Sequence, residues 1–210
     1  YNYKKIKQRL IIKGYQFFTN SDTEVVIAAW IEWKYKCFDY FEGMFSLAIW
    51  DITSSSLIIA RDKFGEKPLF WTKNDNKCIF ASELSPIFNI LKNKPNIDLL
   101  CQNLYMKLSF IPAPKSIFKN IYQVEPGTYL KFKDKKIEKN SYTNFLNTKK
   151  TYNLKHDYNF AKRKIKKLLF ESVKLRIESS DVPVATLLIG GIDSSIITYI
   201  ASKFAKKNKK

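Results

Sequence analysis

The sequence predicts an α+β unit of antiparallel strands flanked by helices, followed by the opening elements of an α/β unit. Three observations carry this. Four short β-rich segments follow one another between residues 44 and 83, separated by short polar breaks. A polar, Lys/Asn-rich stretch over 133–156 then gives way to a long amphipathic helical pattern. Finally, a continuous apolar run leads through a glycine-rich loop into another helix.

The elements follow in order. Residues 4–13 have the apolar spacing of a short helix ending at Gly14. A second helix spans Ser21 to Lys36. Ser21 and Glu24 have capping-box spacing, and Val25, Ala28 and Ala29 continue the buried face. The segments MFSLAIWD (44–51), SLIIARD (56–62), PLFWTK (68–73) and KCIFASE (77–83) read as strands of one antiparallel sheet. Asn74-Asp75-Asn76 supplies the turn between the last two. Trp30, Trp33, Phe45 and Trp50 read as core aromatics. Residues 95–118, with Pro95, Pro112 and Pro114, read as a helix followed by an extended loop. Glu125-Pro126-Gly127 turns the chain into the strand TYLKFK.

Asp157 can cap a helix running to about Glu178, with Ala161, Ile165, Leu168, Leu169, Val173 and Ile177 on one face. The run VPVATLL (182–188) has the composition of a parallel strand buried on both faces. The domains expected are therefore 1–145, a linker at 146–156, and 157–210.

Composition excludes several classes. The net charge of the 210 residues is +18, split as +3 over residues 1–100 and +15 over 101–210. Its lysines are dispersed among Asn and Ile, so a nucleic-acid module is disfavoured. No apolar run reaches the roughly 18 residues of a membrane span. Cys37, Cys78 and Cys101 are odd in number and form no CxxC pair, which argues against a disulfide framework or zinc site and points to a reducing cytoplasm. The sole histidine, His156, sits in a polar stretch and is expected to be solvated. The chain opens YNYKKIKQRL, with neither initiator Met nor signal peptide, as expected of an internal piece of a longer protein.

The segment LLIGGIDSS (187–195) carries the chemistry. Gly190 and Gly191 allow close approach of a ligand to the backbone. The helix that follows presents free N–H groups to an anion. Ser194 and Ser195 add hydroxyls, and Asp193 is an acid suited to a phosphate-bound Mg²⁺. The alternative is a tight strand-to-helix turn without a ligand.

This loop resembles the SGGxDS motif of the ATP pyrophosphatase (PP-loop) superfamily. The stretches GYQFFTNSDTEVV, FEGMFSLAIWD, ARDKFGEKPLF, FASEL, IPAPKSIFKNI, EPGTYL and SDVPVATLLIGGIDSS together resemble the glutamine-hydrolysing asparagine synthetases, in family order and over nearly the whole chain.

The resemblance implies an N-terminal-nucleophile (Ntn-type) glutamine amidotransferase sandwich in 1–145 and the start of an α/β adenine-nucleotide (PP-loop) domain in 157–210. It implies hydrolysis of glutamine to ammonia, and use of ATP and Mg²⁺ to activate aspartate as β-aspartyl-AMP. Ammonia then attacks this adenylate to give asparagine, AMP and pyrophosphate. Glutamine, aspartate and ATP are the implied small-molecule partners, and a homodimer of the longer protein stays open.

By the same resemblance, Asp22 holds the glutamine α-ammonium. Leu187 contacts adenosine, and Gly190, Gly191, Asp193, Ser194 and Ser195 hold pyrophosphate, with Asp193 a Mg²⁺ ligand. Asp22 read by itself simply complements a helix dipole. Arg61, Asp62 and Lys67 read as a solvated or salt-bridged sheet end.

Two departures stand out. Ile189 replaces the first serine of the loop motif. One hydroxyl donor is lost, at about 1–3 kcal/mol if a charged acceptor goes unpaired, and ATP binding is expected to weaken. The family's N-terminal cysteine nucleophile is also absent: YNY resembles the end of NGEIYNY, which would place the nucleophile upstream. The competing readings are a degenerate relic, a related amidotransferase-ligase acting on a β-lactam or peptide acceptor, and the basic nucleic-acid module.

Overall fold

Alternation of apolar side chains builds two antiparallel sheets, and helices cover both outer sides. The computed structural model describes residues 1–74, 77–91, 93–143, 158–180 and 182–205. Helices α1 (Tyr3–Ile12), α2 (Asp22–Trp33) and α3 (Cys37–Tyr40) come first. Strands β1 (Ser46–Asp51), β2 (Ser56–Arg61), β3 (Phe70–Asn74) and β4 (Lys77–Ala81) follow, then α4 (Leu84–Ile90) and α5 (Leu99–Leu108). Strands β5 (Tyr122–Gln123), β6 (Thr128–Lys133) and β7 (Lys136–Ser141) precede α6 (Tyr158–Glu178) and α7 (Ile192–Ala205).

The strand segments do not form one sheet. They divide into β1-β2-β6-β7 and β4-β3-β5, all pairs antiparallel. The reason lies in β2, whose burial is nearly continuous because both its faces are covered. Ile58 and Ala60 pack on Leu10, Val25, Ala29 and Phe38 of the helical layer. Ile59, one residue on and therefore on the opposite face, packs with Leu69, Val124 and Leu130 between the sheets. Ile79, Ile87 and Ile121 form a third cluster, seating α4 on the outer side of the second sheet. The result is four layers: helices, sheet, sheet, helix.

Local chemistry sets the element ends. The α2 N-terminus is not a capping box. Ser21 Oγ accepts from Thr23 N at 3.2 Å. Glu24 instead reaches past it to the N–H groups of Phe18 and Thr19, at 2.8 and 2.9 Å. The helix also stops earlier than expected. Lys34 has φ +50, and a 3₁₀ turn (Lys34–Lys36) leads into α3.

Trp50 is not a core residue: its side chain is 60% exposed. It lies on edge strand β1, and the cluster between the sheets takes side chains from β2 and β6 but none from β1. Trp30 is buried, and Trp33 and Phe45 pack at the edge of the helical core.

The polar stretch expected to begin at 133 contains β7, all six residues of which are exposed. Residues 146–156, Asp157 as a helix cap, and His156 lie outside the described residues, as do Asp75 and Asn76 of the β3–β4 turn. The helix expected after them is present as α6. The apolar run 182–188 is not in a sheet. A strand is defined by ladder hydrogen bonds, and among the described residues nothing pairs with it. The α/β half is thus represented by two packed helices and the loop between them, with Thr198 Oγ1 and Thr186 Oγ1 3.1 Å apart.

Candidate functional site

Two cavities hold the residues singled out from sequence, and they lie in different units. The first, of about 560 Å³, opens between α2 and the free edge of β1. Asp22 and Thr23 stand at its α2 end, and Val26, Trp30, Phe45 and Leu47 form its apolar wall. Asp22 is exposed, in the first turn of α2. Among the described residues it makes no hydrogen bond or ion pair.

The floor of this cavity carries a group the sequence reading missed. Asp51 ends β1 and accepts from Trp30 Nε1 and Lys34 Nζ, each at 3.2 Å. Burial pushes its carboxyl upward. The hydrogen bonds from Lys34, the Ser54 N–H and Trp30 outweigh this and hold it below the usual range. An acid terminating an apolar strand was the available signal.

The second cavity, of about 480 Å³, lies against the glycine loop. Val173 and Ile177 of α6, Leu187, Ile189, Asp193 and Ile197 line it. Gly190 has φ +78, which L side chains rarely adopt. A Cβ there would meet nothing within 4 Å, so the loop's outer side is open. Ser194 Oγ and Ser195 Oγ donate to Gly191 O at 3.0 and 2.8 Å. These hydroxyls need only rotate to face an anion. Leu187 and Ile189 are 88% and 85% exposed, and Asp193 is exposed. The donor set fits a phosphate: the first N–H groups of α7 and two hydroxyls converge at one open turn. No cluster of three or more metal-ligating residues exists among the described residues. A Mg²⁺ here would be held by Asp193 with phosphate and water oxygens supplying the rest.

Arg61 and Asp62 are not a solvated sheet end. Asp62 is fully buried, and its carboxylate accepts from the N–H groups of Phe45, Phe64, Glu66 and Lys67 at 3.3, 3.1, 3.0 and 2.9 Å. Arg61, 7% exposed, donates to the carbonyls of Lys67, Val124 and Gly65. The pair braces loop 62–67 from inside. Sequence could not show this, because the partners are backbone groups. Lys67 takes part through its backbone, while its residue is exposed.

The three cysteines are free thiols. Cys37 and Cys101 are fully buried. Desolvation pushes the Cys37 and Cys78 thiols up to about 12 and raises Cys101 as well. None is poised as a nucleophile. No helix among the described residues is long and apolar enough to cross a membrane.

Two facing antiparallel sheets between helices, joined to a helix–glycine loop–helix, define a two-unit α+β protein with separate small-ligand cavities. The family model described as "Glutamine amidotransferase domain" matches residues 1–143, and the chain belongs to that family. The model described as "Asparagine synthase" matches residues 164–210. Glutamine-hydrolyzing asparagine synthetase 1 of Bacillus subtilis is 34% identical over 205 residues, which is 97% of this chain and 32% of the relative. A putative glutamine-hydrolyzing asparagine synthetase 2 of Methanocaldococcus jannaschii is 34% identical over 213 residues, 100% of this chain and 40% of the relative. Amidase chry2 of Gibberella zeae is 30% identical over 220 residues, 100% of this chain and 31% of the relative. The chain spans about a third of the length of these relatives.

Proposed function

We propose that this chain is part of a longer protein that makes asparagine from aspartate, with ammonia released from glutamine in one unit and ATP consumed in the other. The carrying observation is the order of the two family matches within a single chain, 1–143 and then 164–210. Under this reading residues 1–145 belong to an Ntn-type glutamine amidotransferase domain, 146–156 link the units, and 157–210 open a PP-loop ATP-binding domain.

Asp22 holds the α-ammonium of glutamine. Its exposed carboxylate at the mouth of an apolar-walled cavity supports the role: it keeps its hydration in the free state and exchanges it for a charge partner on binding. The nucleophile belongs to another part of the longer protein, since the buried thiols of Cys37 and Cys101 and the raised thiol of Cys78 cannot supply a thiolate.

At the second site, Gly190 and Gly191 let the pyrophosphate of ATP approach the backbone, and Ser194 and Ser195 donate to it. Leu187 offers an apolar face to the adenosine, and Asp193 holds Mg²⁺. Mg²⁺, when bound, neutralises phosphate charge and steadies the leaving group. Ile189 removes one hydroxyl from this set and weakens ATP binding relative to a serine form.

The test is isotopic. The longer protein, given glutamine labelled with ¹⁵N at the amide, aspartate and ATP, forms asparagine labelled at its amide. Label that stays in free ammonia, with no asparagine formed, refutes the reading. It would favour a different acceptor, the alternative to which the likeness to the Gibberella zeae amidase points.

A further inference from the structure

Arg176 stands where the two units meet. Its guanidinium lies 3.4 Å from the Glu66 carboxylate and 5.3 Å from the centroid of the Tyr1 ring. Ser172, one turn back on α6, accepts from the same guanidinium at 2.7 Å. Glu66 is on the loop that Arg61 and Asp62 brace, so the backbone carrying one partner of the pair is held in place. The other is a long side chain able to swing.

Two cavities share this side chain. One, of about 720 Å³, lies between the units and is bordered by Tyr1, Glu42, Lys63 and Glu66. The other is the cavity at the glycine loop. Among the described residues Arg176 alone lines both, and it is the sole cationic side chain lining the second. That second point matters chemically. A nucleoside triphosphate carries several negative charges, and the loop offers it only dipoles, two hydroxyls and the like-charged Asp193.

We propose that Arg176 is a phosphate-binding residue of the glycine loop, held in reserve by Glu66. A triphosphate seated on the loop draws the guanidinium off Glu66, and nucleotide occupancy thereby loosens the contact between the units. The inference rests on the nucleotide reading of the loop given above. The energetics run the right way. The Glu66–Arg176 pair is half exposed, 44% at Arg176 and 35% at Glu66, and such pairs contribute little. Guanidinium–phosphate contacts are commonly bidentate and stronger.

The experiment is calorimetric titration of ATP with Mg²⁺ into the longer protein that carries these 210 residues, each variant first checked by circular dichroism for parent-like folding. Glu66→Gln frees the guanidinium and should tighten binding about two- to fivefold. Arg176→Met should weaken it at least tenfold, with Arg176→Lys, which keeps the charge but not the fork, falling between. Glu178→Gln, an acid bordering the cavity between the units but paired with Lys174, should leave binding within about twofold of the parent. Gly190→Val should abolish it.

If Gly190→Val loses ATP while Arg176→Met binds like the parent, the inference fails and the nucleotide reading stands. If Glu178→Gln tightens binding as much as Glu66→Gln, the effect is general charge and the reserve role is overturned. If no form binds ATP, the nucleotide reading fails and takes the inference with it.

Discussion

Replacing Asp62 with alanine should unfold the first unit far more readily than its single-residue size suggests. The buried carboxylate is the acceptor for four backbone N–H groups, those of Phe45, Phe64, Glu66 and Lys67. A hydrogen bond to a charged acceptor contributes roughly 1.5–3 kcal/mol, so four set an upper bound of about 6–12 kcal/mol. Phe64, Glu66 and Lys67 lie in an exposed loop, and their N–H groups recover water once the carboxylate is gone. The Phe45 N–H and the cavity left at a fully buried position do not recover fully. The net loss should be about 3–5 kcal/mol. With a urea dependence of about 2 kcal/mol per molar, the midpoint followed by tryptophan fluorescence falls by roughly 1.5–2.5 M. Asp62→Asn keeps one acceptor oxygen and should lose about half as much. A shift for Asp62→Ala equivalent to less than about 1 kcal/mol would refute the view that this carboxylate organises loop 62–67.

Three further outcomes follow from the same structure. Glu24 is held below the usual carboxylate range by the Thr19 hydroxyl and the N–H groups of Phe18 and Thr19. Its contribution is therefore present above the ordinary glutamate pKa of about 4.3 and lost as pH falls below it. Hydrogen exchange at Phe18 and Thr19, corrected for intrinsic pH dependence, should accelerate in that window, and Glu24→Gln should remove the pH dependence. Asp98 caps α5 by accepting from Leu100 N and Cys101 N, so Asp98→Ala should cost about 1–2 kcal/mol in urea denaturation. The three thiols should react with a thiol-specific disulfide reagent at pH 8 only slowly in the native chain and rapidly in urea, given Cys37 and Cys78 at about 12.

What was legible in the sequence was periodic and local. The helices at 3–12, 22–33, 99–108 and 158–178 carry an apolar stripe or a cap, and the strand segments carry β-branched and aromatic residues. The glycine loop was legible because its residue types have few other uses. What was hidden needed partners distant in sequence. Nothing in SLIIARD tells that Ile58 faces helices while Ile59 faces a second sheet, so the residue pattern alone suggests one sheet, and only the family resemblance implies a sandwich of two. Strand β7 is exposed along its whole length and has no alternation to read. Helix α4 carries Pro86 in its first turn and is only seven residues long, too short to show a helical stripe, so the sequence reading assigns it no element. Arg61 and Asp62 look like surface charges because their partners are carbonyls and amides, invisible in side-chain sequence. Trp50 looked like core because hydrophobicity alone cannot mark an edge strand left uncovered on one side.

The two cavities share no residue, so under the proposed function a change at Asp22 separates use of glutamine from the synthetase chemistry. In the longer protein, Asp22→Asn should raise the KM for glutamine at least tenfold, since a charge pair with the α-ammonium is lost. Asparagine formation from free ammonium, aspartate and ATP should stay at the parent rate. Equal loss of glutamine-dependent and ammonium-dependent activity, or no change in the glutamine KM, would contradict the account.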